Sequence, residues 1–99
     1  MAVFAISFRL AHGADHARRW QSVDAAVRRF SIGAPFDETT SFYILQANTS
    51  ADALWNAVVS GSELDMRRDA LVVLNLSADD SQFGGTSAPA RLNALLAAR

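Results

Sequence analysis

Two histidines, two carboxylate doublets and a set of arginines are the side chains whose types and spacing could do chemistry. His12 and His16 stand four apart with Asp15 between them, and on a helix such a pair can share a metal ion. Gly13 falls inside that spacing, and the sequence has no further histidine and no cysteine. No third ligand is specified, so no metal and no cofactor are expected, and both histidines read as loop or helix-start residues. The doublets Asp37-Glu38 and Asp79-Asp80 could hold Mg²⁺ or serve as acid and base. Adjacent residues of a strand point to opposite faces, so neither doublet converges without turn geometry, and turns are the first reading. Hydroxyls abound (Ser7, Thr39, Thr40, Ser41, Ser77), yet there is no G-x-S-x-G elbow and no histidine with an obvious place beside a serine. Gly84-Gly85 is too short to cradle a phosphate and reads as a turn.

The nine basic residues are all arginine. Arg18/Arg19 and Arg28/Arg29 are two pairs on one expected helix, about 15 Å apart along its axis. Guanidinium groups bind phosphate bidentately and stack on bases, so these four and Arg9 are the candidates for contact with RNA, DNA or another anion. Trp20 and Phe30 are spent on the core stripe of the same helix, which leaves no aromatic platform beside the cations. Net charge is −1, which argues against a generally nucleic-acid-coating surface. The charge is uneven: residues 1–36 carry five arginines and two aspartates, residues 37–65 five acids and no base. The basic part could face phosphate, although solvated helix faces give the same pattern.

These side chains need a scaffold. Ninety-nine residues with 51% apolar and 19% charged residues suit one folded domain with a real core. Val3–Leu10 alternates with period two, Phe4, Ile6, Phe8 and Leu10 being large, and reads as a strand with one well-buried face. A helix is expected over His16–Phe30, capped by Asp15, with Trp20, Val23, Val27 and Phe30 on one face. Gly33 and Pro35 punctuate its end. Phe36 begins a short strand and Asp37-Glu38 forms the following turn. Thr39–Ala47 is a strand apolar on both faces and therefore central. Thr49 and Asp52 fit a capping signature for a helix that runs to about Ser60, buries Leu54, Trp55, Val58 and Val59, and ends at Gly61. Leu71–Leu76 is a further strand, Asp79–Ser81 a turn, and Phe83 the start of a short edge strand. Pro89 suits the first turn of a helix over Ala88–Ala98 with Leu92, Leu95 and Leu96 as its stripe.

The order is β-α-β-β-α-β with a C-terminal extension, an α+β class chain of the ferredoxin-like, split β-α-β pattern. Residues 1–81 are expected to form that domain, and residues 82–99 an extension packed on it or on a dimer partner. The usual solution places both helices on one sheet face. Val3, Ala5, Tyr43 and Val73 are candidates for the other face. They are too apolar for open water, so a second subunit packed sheet to sheet is the simple remedy. Met1–Phe8 lacks a basic start and is far short of the roughly 20 residues that span a bilayer, so no membrane partner and a cytoplasmic location are expected.

Ile6-Ser7-Phe8-Arg9-Leu10, closing the first strand of such a chain, resembles the CRISPR-associated Cas-two family and its relative, virulence-associated protein D. The chain is also similar to short bacterial proteins labelled SinR-like, through Met1–Arg9 (MAVFAISFR), Glu38–Tyr43 (ETTSFY) and Asn75-Leu76-Ser77. The resemblance covers residues 1–77 in element order and implies a ferredoxin-like homodimer. Cas-two proteins are described as metal-dependent endoribonucleases or DNA-binding adaptation subunits, and their first strand ends in Ser/Thr-Tyr-Asp, the aspartate being a metal ligand. Arg9 occupies that place here, and a guanidinium cannot ligate Mg²⁺. A pair of arginines near a two-fold axis would repel a cation and attract an anion. The expected function is therefore a homodimeric binding or scaffold protein without the family's metal site. Nucleic-acid or anion contact would fall to Arg9, Arg18, Arg19, Arg28 and Arg29. Two alternatives stay open: an endoribonuclease using Asp37, Glu38, Asp79 or Asp80, and an antitoxin-like interaction subunit whose partner meets Phe83–Arg99. Arg9 could also be an ordinary ion pair with Asp79 or Asp80.

Overall fold

The computed structural model describes residues 1–98. Five strands form one antiparallel sheet in the order β2-β3-β1-β4-β5. They are β1 (Ala2–Arg9), β2 (Phe36–Thr39), β3 (Phe42–Ala47), β4 (Ala70–Asn75) and β5 (Asp80–Gly84). Three helices join them: α1 (His16–Phe30), α2 (Ala51–Ser60) and α3 (Pro89–Ala97).

The core lies between the sheet and the α1–α2 pair. Alternation along β1 aims Phe4, Ile6 and Phe8 at the helices, where they are 0%, 0% and 5% exposed. Val23, Ala26 and Val27 of α1 and Leu54 and Val58 of α2 meet them in one cluster with Tyr43, Leu45, Leu71 and Val73. The helices approach closely where Ala26 faces Gly61; a Cβ on Gly61 would sit 2.9 Å from the Ala57 carbonyl oxygen and 3.7 Å from the Ala26 methyl.

The stripe of α1 is rotated from the expected one. Val23 and Val27 are buried, but Trp20 is only half-buried and Phe30, at the helix end, is 37% exposed. Arg19 and Ala26 take the inner positions because α1 must face α2 as well as the sheet. Asp15 sits at the N-cap position without capping; its carboxylate accepts from Arg18 instead.

Several boundaries move. Asp37 and Glu38 belong to β2 rather than to a turn, and the turn falls at Thr40-Ser41, where Ser41 has φ 55°. The Ser41 carbonyl accepts the Phe8 N–H at 3.1 Å, which ties this hairpin to the end of β1. Ser50, not Thr49, caps α2, its hydroxyl accepting the Ala53 N–H at 3.2 Å. Asp80 and Ser81 are strand residues paired with Asn75 and Leu74, so a boundary at residue 81 falls inside β5. The chain leaves the sheet at Gly85, whose φ is 78° and whose Cβ position would lie 1.8 Å from the Asp69 carbonyl oxygen; only glycine fits there. The helix α3 buries none of its residues, and Leu95 of its expected stripe is 64% exposed.

The second sheet face differs from expectation by two residues. Val3 and Ala5 lie on it. Tyr43 and Val73 do not, because both pair with Ile6 and share its helix-facing side, at 2% and 0% exposure. Their places are taken by Phe42 and Val72, opposite Ser7, and by Ile44 and Leu74, opposite Ala5.

Candidate functional site

Alternation places Val3, Ala5, Ser7 and Arg9 of β1 on the face that α1 and α2 leave open. Ile44 and Phe42 flank them from β3, Leu74 and Val72 from β4. Phe36 joins through its pairing with Ile44, and Phe83 through its pairing with Val72. The result is a continuous apolar surface with Ser7 and Arg9 exposed at one end. Arg9 pairs in register with Ala70. Its guanidinium has no ion-pair or hydrogen-bond partner among the described residues. A bond to Asp79 or Asp80 is excluded by distance along the sheet: Asp80 pairs with Asn75, five residues and about 17 Å from Ala70. The Asp80 carboxylate instead accepts the Ala51 N–H at the start of α2, at 2.8 Å.

The other candidate arginines are occupied. Arg18 bonds Glu63 at 2.9 Å and Asp15 at 3.4 Å, and the Glu63 hydrogen bond raises its pKa further. Arg28 bridges Asp24, at 3.0 Å, and Asp37. The hydrogen bond to Asp24, then that to Asp37, pushes its pKa up. Asp24 also accepts from the Tyr43 hydroxyl at 2.7 Å. Burial first, then that bond, raises the Tyr43 pKa. Arg29 is exposed on α1 with no bonding partner among the described residues.

Arg19 is not a surface cation at all. It is 2% exposed and forms an ion pair with Asp69, itself 0% exposed, while Nη2 also donates to the Glu63 carbonyl at 3.2 Å. Burial disfavours the Asp69 carboxylate, but the N–H groups of Ala11 and Asp65, at 2.9 and 2.8 Å, and the Arg19 guanidinium outweigh it and hold its pKa below the usual value. This node fastens the end of β1, the start of α1 and the loop before β4. Arg19 is four and eight residues from Val23 and Val27, a spacing that already puts it on their face. Nothing local marks Asp69 as its partner.

The acid doublets do not converge within the chain. Asp37 lies on β2 and Asp80 on β5, the two opposite edges of the sheet. The rings of His12 and His16 stack at 6.2 Å. Among the described residues no three His, Cys, Asp or Glu side chains gather as a metal site would require. What the arrangement offers is recognition: an apolar sheet face, an unpaired guanidinium, and a shallow cleft of about 570 Å³ where Leu96 of α3 faces Leu74–Asp79. None of the described helices is long and apolar enough to cross a membrane. Set against protein-family models and curated proteins, the chain matches none of either.

Proposed function

We propose that this chain is a homodimeric, ferredoxin-like binding or scaffold module, a relative of the Cas-two and SinR-like groups it resembles, with Arg9 where the Cas-two group keeps its metal-ligating aspartate. The element order β-α-β-β-α-β and the run β2-β3-β1-β4 support the fold name, with β5 and α3 as additions. One observation carries the function: the open sheet face is apolar from β2 to β5, through Phe36, Ile44, Ala5, Leu74 and Phe83. A sheet face of this kind is stable when another layer covers it. The reading favours protein over nucleic acid, because Arg19 is buried and Arg18 and Arg28 are already neutralised by carboxylates.

Sedimentation at micromolar concentration tests the reading. The chain should run as a dimer, and Ile44→Asp, which buries a carboxylate in the apolar face, should run as a folded monomer. A wild-type monomer sinks the proposal. Fluorescence anisotropy with labelled single-stranded RNA and duplex DNA at low salt tests the other partner class. Tight binding lost on Arg29→Ala or Arg9→Ala would move the function to nucleic acid.

A further inference from the structure

The helix α3 is apolar at every position but two, Arg91 and Asn93. A helix apolar on most sides is stable when it is covered on most sides. Yet α3 buries none of its residues: Leu92 and Leu96 are half-buried, Leu95 is 64% exposed, and Ala90, Ala94 and Ala97 are exposed. Its place follows from its two ends. Gly84, which precedes Pro89 by a short link, pairs with Leu71 at the start of β4, and Leu96 shares a cleft with Leu74–Asp79 at the end of β4. The helix therefore runs back along β4. The helix-side face of β4 and β5 is taken by α2, whose Trp55 lies against Gly84 and donates from Nε1 to the Leu71 carbonyl at 3.3 Å. So α3 lies on the open face, over β4 and β5, with Leu92 and Leu96, one turn apart, toward the sheet.

One helix cannot cover this face. Neighbouring strands lie about 4.8 Å apart, so five of them span about 19 Å, while a helix with its side chains is about 10 Å across. The strip over β2, β3 and β1 is left open, with Phe36 42% exposed and Val3, Phe42 and Ile44 half-buried. That strip is one helix wide. Resting on the dimer reading, we infer that α3 of a second copy fills it. A two-fold axis parallel to the strands and close to β1 sets each α3 between its own β4-β5 on one side and the partner's β2-β3-β1 on the other. The layer between the two sheets is then the pair of α3 helices, side by side. Each sheet gains the second helix that its width requires. Each α3 gains cover for Leu95 and for Ala90, Ala94 and Ala97, which share the side turned away from its own sheet. Small side chains there let the partner's strands come close.

Sedimentation of point variants tests this. Ala94→Arg and Leu95→Asp change side chains that are exposed in the single chain, so circular dichroism should stay as in wild type. Each variant sets a charge in the apolar layer and should raise the dimer dissociation constant by about tenfold or more. Arg29→Glu, on α1, should leave it unchanged. The chain has no cysteine, so introduced thiols report proximity. A short bismaleimide should join Ala94→Cys to Ile44→Cys in a mixture of the two variants, and should not join Ile44→Cys to itself. A dimer indifferent to both α3 variants, or one in which Ile44→Cys cross-links to itself in preference to Ala94→Cys, overturns the role of α3 alone. A wild-type monomer overturns the dimer itself.

Discussion

A buried arginine is costly unless its charge is answered, and Arg19 is answered by Asp69 at 0% exposure. Asp69→Ala should cost about 3–5 kcal/mol in urea unfolding, because it strands a guanidinium in the core. Arg19→Met/Asp69→Leu should recover most of that loss; a single variant as stable as wild type would show that the pair holds nothing. The same carboxylate gives an acid limb to stability. Its native pKa lies below the ordinary value of about 3.9, so its contribution is complete above that pH and is lost as the pH falls through the lower native value. The unfolding free energy should drop below about pH 4, and less steeply in Asp69→Asn. Arg9 is the opposite case. It is exposed at the end of the apolar sheet face and has no ion-pair or hydrogen-bond partner among the described residues.

At the scale of elements, the caps and the register do the positioning. Ser50 accepts the Ala53 N–H and starts α2 one residue later than the Thr49-x-x-Asp52 signature suggests, while Asp52 turns outward to Asn56. Ser50→Ala should lower stability by about 1 kcal/mol and Thr49→Ala by less than about 0.5, measured as urea midpoints. Equal losses would mean that the cap is shared. Register settles which strand residues meet the helices. Ile6 lies between Tyr43 and Val73 on the inner side, and Ala5 between Ile44 and Leu74 on the outer. A slip of one residue would exchange the two faces, and the outer face would then carry Tyr43 and its hydroxyl.

For the whole molecule, the buried core is built by the sheet with α1 and α2, and α3 adds no fully buried residue to it. A chain ended at Gly85 should therefore unfold cooperatively with a Tm within about 5 °C of the full chain. Ending it at Ser81 removes three of the five residues of β5 and the close approach of Gly85 to Asp69, and should lower the Tm far more. Equal Tm values for the two truncations would show that β5 is dispensable. The same layout gives the molecule two unlike sides, one of helices carrying most of its ion pairs and one an apolar sheet face open over β2, β3 and β1.

The sequence by itself determined what depends on neighbours along the chain. Period two over the first ten residues marked β1, and helical spacing bounded by Asp15 and Gly33 marked α1 at the residues it occupies. Gly61 marked the end of α2. Only the tertiary structure decided what depends on distant residues. The Thr39–Ala47 run was apolar on both faces, so its pattern could not say which face met the helices. Arg19 belonged to the core because Asp69, fifty residues on, meets it there. Arg18 and Arg28 lost their claim as free cations to Glu63 and to Asp37 for the same reason. Arg9, Arg29 and Arg91 are left without an ion-pair or hydrogen-bond partner among the described residues, which no segment of sequence could show, because an unsatisfied charge is a property of the assembled surface.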